Sequence, residues 1–310
     1  MDRDDKIYIA GHNGLVGSQL LKTLKEKGYT NILTTERSEL NLMNQIDVQT
    51  YLNNWQPRYV FICAAKVGGI KDNNEKRAEF IYENLQIQNN LIHYSYEAGV
   101  KKVMFLGSSC IYPKNCPQPI KEEYLLTSEL EQTNEPYAIA KIAGLKMIES
   151  YNRQYGTRYI SVMPTNIYGS ENDNYDLETS HVFAAMIRKF YEAKKLNTDV
   201  YLWGDGTPYR EFLHVKDLTE ALVFLMNTYD GKEAINIGTG EDITLKELAN
   251  TIADIINFKG KIHWDDTKPN GTSRKLLDVS KINKLGWYSK IGLIEGIKST
   301  YNIYEKTRNN

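Results

Sequence analysis

The sequence predicts an α/β protein, a doubly wound parallel sheet with a smaller C-terminal lobe. Three observations carry that prediction. Short apolar runs alternate with longer amphipathic stretches through the first half, the pattern of a parallel sheet covered by helices on both faces. A turn with glycines spaced GxxGxxG directly follows the first apolar run. Beyond Pro164 the pattern loosens into turns rich in Asn, Asp and Gly, where a second lobe is expected.

In chain order, 7–10 reads as the first strand, 15–27 as an amphipathic helix, and 31–35 and 59–64 as the next two strands. The stretch 75–97 reads as a long helix, 103–107 as a strand, 137–155 as a second long helix and 159–163 as another central strand. In the looser half, a helix-like 182–195 lies between turns at 169–179 and 204–207. Residues 234–237 return as a buried strand, and 244–256 read as a helix opened by a capping box, Thr244 with Glu247 three residues on. This reading assigns 1–168, rejoined by 211–240, to a dinucleotide-binding domain, and 169–210 with 241–310 to a substrate-binding lobe.

Composition excludes several classes of function. The 38 Lys and Arg nearly balance the 39 Asp and Glu and are spread along the chain, so there is no basic footprint for nucleic acid. No apolar run approaches the roughly 20 residues needed to cross a bilayer, and residues 1–6 lead into no apolar signal region. A cytoplasmic setting without a membrane partner is the expectation. Cys63, Cys110 and Cys116 form neither a disulfide framework nor a CxxC metal spacing, so no metal is expected.

Gly11, Gly14 and Gly17 sit between the first strand and the first helix, the context in which glycines let backbone amides approach a pyrophosphate at a helix N-terminus. That makes the main domain Rossmann-type. At the end of the second strand stand Glu36 and Arg37. An acid there suits the ribose hydroxyls of NAD and an arginine the 2′-phosphate of NADP, and Arg37 followed by Ser38 leans the reading to NADP(H).

Tyr137 and Lys141 are four residues apart, hence on one helix face. A nearby ammonium is expected to lower the phenol's pKa, so that Tyr137 gives a proton to a carbonyl oxygen as hydride arrives. Alone, the pair reads first as an exposed i,i+4 contact. Ser108, at the end of a buried strand about 30 residues upstream, supplies a hydroxyl to the same crevice and favours the catalytic reading.

The segments 64–70, 107–114, 134–144, 163–169, 210–215 and 274–278 together resemble the extended short-chain dehydrogenase/reductases and, within them, the GDP-L-fucose synthase family. The resemblance spans essentially the whole chain. It implies epimerisation at C3 and C5 of a GDP-4-keto-6-deoxy sugar followed by reduction at C4, with Ser108, Tyr137 and Lys141 reducing and Cys110 and His181 as the acid/base pair. The alternatives for the latter two are a buried cysteine and a helix-start histidine. The resemblance sets the cofactor against Gly11, Asn13, Gly14, Leu15, Val16, Gly17, Arg37, Leu42, Ala64, Ala65, Lys66, Leu106, Lys141, Pro164, Asn166, Ile167 and His181. It sets the substrate against Lys189, Trp203, Arg210, Asn270 and Lys275, with a core tryptophan as the alternative for Trp203. A homodimer through 75–97 and 137–155 is also implied. Asn13 and Lys189 stand where many members have arginine, Asn270 where they have aspartate, and Phe183-Ala184 replaces an apolar residue followed by proline. Because these changes border the sugar site, reduction alone of a related sugar such as a heptose is the second reading.

Overall fold

The computed structural model describes residues 1–177, 179–268 and 270–309. Glu178, Pro269 and Asn310, which fall within segments assigned above to the second lobe, lie outside the described residues.

The first part of the chain runs β1 (Ile7–Ala10), α1 (Leu15–Glu26), β2 (Ile32–Leu33), α2 (Gln45–Trp55), β3 (Tyr59–Ile62), α3 (Ile70–Glu75), α4 (Arg77–Glu97), β4 (Lys102–Leu106), α5 (Glu135–Tyr155) and β5 (Ile160–Pro164). It continues as β6 (Asn166–Tyr168), α6 (Val182–Leu196), β7 (Val200–Trp203), β8 (Tyr209–His214), α7 (Val215–Thr228) and β9 (Ile235–Ile237). The last part is β10 (Asp242–Thr244), α8 (Leu245–Ile255), β11 (Ile262–Asp265), β12 (Arg274–Lys275), α9 (Ser280–Lys284) and α10 (Leu293–Asn309).

Six strands form one parallel sheet in the order β2-β1-β3-β4-β5-β9. All but β2 are buried along their length, which is why they read as short unbroken apolar runs. Leu20, Leu24, Leu218, Leu222 and Met226 of α1 and α7 pack into one core, and Val48, Leu52, Leu91 and Ile148 of α2, α4 and α5 into another. Burying each such side chain contributes roughly 1.5–3 kcal/mol. The strand order reverses at β1, which has β2 on one side and β3 on the other, so the crevice beyond their carboxyl ends is the topological switch point.

A third core joins α6, α8 and α10 through Phe190, Leu248, Ile252, Ile297 and Tyr304. Beside it β7 pairs with β11, while β8 takes β6 and β12 as parallel partners and β10 as an antiparallel one. The expected capping box is present: Glu247 N–H donates to Thr244 Oγ1 at 3.0 Å and Thr244 N–H to Glu247 at 3.0 Å. The structure also corrects boundaries. The helix expected over 75–97 is α4, starting at Arg77 after the separate short α3 that Glu75 ends, and the second strand shrinks from five residues to two at a sheet edge.

Candidate active site

The glycine turn is built by close approach. Gly11 has φ +86°, and a Cβ there would lie 2.6 Å from the Ala64 backbone nitrogen at the end of β3. A methyl at Gly17 would overlap the Gly11 carbonyl. Gly14, at the N-cap of α1, supplies no side-chain cap, so Leu15, Val16 and Gly17 open the helix with uncapped amides beside the crevice. A cradle that any side chain would fill, ending on a helix N-terminus, fits a dinucleotide pyrophosphate.

Most of the other residues expected around this cradle lie at or next to strand ends. Ala64, Ala65 and Lys66 follow β3, Leu106 ends β4, Pro164 ends β5, and Asn166 and Ile167 open β6. Asn166 Nδ2 donates to Glu211 O at 2.8 Å, and Leu42 O accepts from Asn90 Nδ2 at 3.0 Å. The Lys66 ammonium is taken up by Glu83 at 2.6 Å and by Glu79, and its backbone N–H and C=O are both bonded to the Asn84 side chain at 3.0 Å. Arg37 is exposed and has no hydrogen bond or ion pair among the described residues.

Tyr137 and Lys141 lie on α5, which Pro136 opens. Ser108 follows β4 in extended conformation, accepts from the Cys110 N–H at 3.2 Å, and stands close enough to the Tyr137 hydroxyl to favour its ionised form. Lys141 is 3% exposed, and its Nζ donates to Leu106 O at 2.8 Å beneath the Phe105 ring. Burial pushes its pKa down to about 8, with Cys63 opposing. One expectation is overturned. Burial, aided by Cys110, raises the Tyr137 phenol well above its ordinary value, with only Ser108 opposing. The Lys141 ammonium is 5.8 Å from the Tyr137 ring centre and donates to the β4 carbonyl, the kind of acceptor a buried cation requires. Tyr137 therefore holds its proton firmly.

Cys110 lies in the short helical turn after Ser108, and Lys275 Nζ is 3.7 Å from its Sγ. His181 stands at the N-cap position of α6, where its side chain makes no capping bond; the protein around it, and then the charge of Lys275, hold its imidazole below the usual value. Lys275 thus stands near both members of the expected acid/base pair. Arg210 Nη1 donates to Tyr209 O at 2.7 Å, and its other arm reaches Asn270 O at 3.4 Å. Trp203 is 45% exposed, which removes the core reading, and the ammonium groups of Lys189 and Lys268 each lie 5.8 Å from its ring. Lys189 also donates to Tyr201 O at 2.7 Å. The Asn270 side chain accepts from Asp205 N–H at 3.0 Å, bracing the Gly204 turn.

Sequence reasoning missed two supports of this site. Gly69 N–H donates to Thr179 O at 2.7 Å, tying the loop after β3 to the residues that lead into His181. Glu211, fully buried between Arg210 and Phe212, accepts from Thr239 N–H at 2.7 Å, Gly240 N–H at 2.8 Å and Leu277 N–H at 3.0 Å, which fixes β8 to the segment carrying Lys275. An acid directly before the apolar pair Phe212-Leu213 in a strand was the visible signal for Glu211.

GDP-L-fucose synthase 1 of Arabidopsis thaliana is 53% identical over 306 residues, covering 98% of this chain and 94% of that protein. GDP-L-fucose synthase of Escherichia coli K12 is 49% identical, covering 96% and 95%. Among solved structures, MlghC, a GDP-mannoheptose C4 reductase from Campylobacter jejuni with NADP bound, superposes with a TM-score of 0.91 at 40% identity over 98% of this chain and 99% of that one. Residues 7–238 match the model of the NAD dependent epimerase/dehydratase family. With a parallel sheet that reverses at β1, a glycine cradle at that reversal and relatives similar over nearly its full length, this chain belongs to the NAD dependent epimerase/dehydratase family.

Proposed function

We propose that this chain is an NADPH-dependent oxidoreductase and epimerase that converts GDP-4-keto-6-deoxy-D-mannose to GDP-L-fucose, by epimerisation at C3 and C5 and reduction at C4. The observation that carries this reading is the gathering at one crevice of a carbonyl-holding pair, Ser108 and Tyr137, with Cys110, Lys275 and His181. Bound at the glycine cradle, NADPH supplies the hydride for C4.

The residues divide the remaining work. Ser108 and Tyr137 hold the C4 oxygen, which carries enolate charge during epimerisation and alkoxide character during reduction, so the same donors stabilise both. Tyr137 finally gives up the proton that burial has kept on it. Cys110 and His181 remove and return the protons at the carbons next to the ketone. Arg210, Lys189 and Lys275 meet the diphosphate, Trp203 packs on a ring, and Asn270 holds the turn beside them. In this reading 169–210 and 241–310 form the substrate lobe, the setting is cytoplasmic, and the outer faces of α4 and α5, with Tyr82, Ile139 and Tyr155 exposed, join two copies.

Incubation with GDP-4-keto-6-deoxy-D-mannose and NADPH in deuterated water, followed by NMR of the product, tests the proposal. GDP-L-fucose bearing deuterium at C3 and C5 is expected. Reduction without deuterium leaves the second reading, C4 reduction alone of a related GDP-4-keto sugar such as a heptose, which the likeness to MlghC favours. Absence of NADPH oxidation with either sugar removes both.

A further inference from the structure

Three residues at the adenosine end of the cradle act as one unit. Glu36 follows β2, where a dinucleotide on this fold presents its adenosine ribose. Its Oε2 accepts from Asn13 Nδ2 at 2.8 Å, and its Oε1 lies 3.3 Å from His12 Nε2. Both partners belong to the glycine loop, so this carboxylate is fixed to the cradle and is not a loose surface acid. Each carboxylate oxygen can accept more than one hydrogen bond. With the Glu36 side chain 56% exposed, accepting capacity remains open to solvent and to a ligand. Arg37, the next residue, is exposed.

We propose that Glu36 is a specificity-determining residue that allows this protein to bind NADH as well as NADPH. The inference rests on the dinucleotide reading given above. A 2′-phosphate brought to this end of the cradle meets a fixed carboxylate that opposes it, beside the neighbouring Arg37, whose opposite charge favours it. The ribose hydroxyls of NADH instead find a charged acceptor already oriented for them. Asn13 strengthens the effect. A basic side chain at that position would add a second cation facing the phosphate, whereas the amide donates to Glu36 and holds it in place.

The test needs no sugar. NADPH and NADH are titrated separately into the purified protein, with their fluorescence as the readout, for the parent chain, Glu36→Gln and Arg37→Ala. Expected are dissociation constants within about tenfold of each other for the parent chain, and a shift of the NADH-to-NADPH ratio by about tenfold toward NADPH in Glu36→Gln. Arg37→Ala moves the ratio the other way. The Glu36→Gln shift shrinks in high salt because it arises from charge at an exposed site. A ratio unchanged by Glu36→Gln, with NADPH still bound, overturns the inference and leaves the proposed activity standing. Failure of the parent chain to bind NADPH overturns the dinucleotide reading and the inference with it.

Discussion

Lys141 sits 3% exposed beside a single carbonyl, with its pKa held down to about 8 from an ordinary 10.5. Between those values the unfolded chain binds more protons than the folded one, so stability rises with pH there. The penalty is fully present below pH 8 and disappears as pH approaches 10.5. Lys141→Met is therefore expected to stabilise the fold at pH 7 by up to about 3 kcal/mol, less the loss from leaving the Leu106 carbonyl unpaired. Thermal unfolding at pH 7 and pH 9.5 checks the sign: the gain must be larger at pH 7. Tyr137 carries the complementary expectation. Tyr137→Phe removes the proton donor and should cut NADPH oxidation by roughly 100-fold or more, with NADPH affinity in a fluorescence titration nearly unchanged.

At the scale of elements, the site depends on how α6 begins. The Gly69 loop lies so close to the residues before His181 that a Cβ on Gly69 would stand 2.9 Å from Ser180 O and 3.1 Å from Thr179 O. Neither carbonyl can move without carrying the start of α6 with it. Gly69→Ala is expected to lower deuterium uptake at C3 and C5 by about tenfold or more, since an ångström of misplacement is costly to proton transfer. NADPH binding should fall much less than deuterium uptake, and an equal loss of both would point to general unfolding. The α8 start is a simpler case. Thr244→Ala opens its capping box and should cost about 1 kcal/mol in denaturant unfolding, with activity retained.

For the molecule as a whole, much of the nucleotide-binding half was legible because local rules determine it. Gly11 and Gly17 are forced by a turn, and β1, β3, β4 and β5 are buried on both faces, so sequence alone marks them. The second half was read less well for a physical reason. β12 is two residues long and exists only by pairing with β8, more than 60 residues earlier, while α10 buries Ile297, Thr300, Tyr301 and Tyr304, a face too polar and aromatic to stand out as an apolar stripe. The candidate chemistry of Tyr137 and Lys141 was visible from their spacing, but the direction of the Tyr137 shift was not, because a helix period says nothing about which carbonyl lies beneath a lysine. Glu211 brings these scales together. Its donors at Thr239 and Gly240 follow soon after β8, but the last one, Leu277 N–H, is 66 residues downstream. A chain growing from its N-terminus therefore completes the dinucleotide cradle well before it has made the backbone that Glu211 requires. Newly synthesised protein would acquire its grip on the cofactor first, and the sugar pocket only once the segment carrying Lys275 and Leu277 has followed.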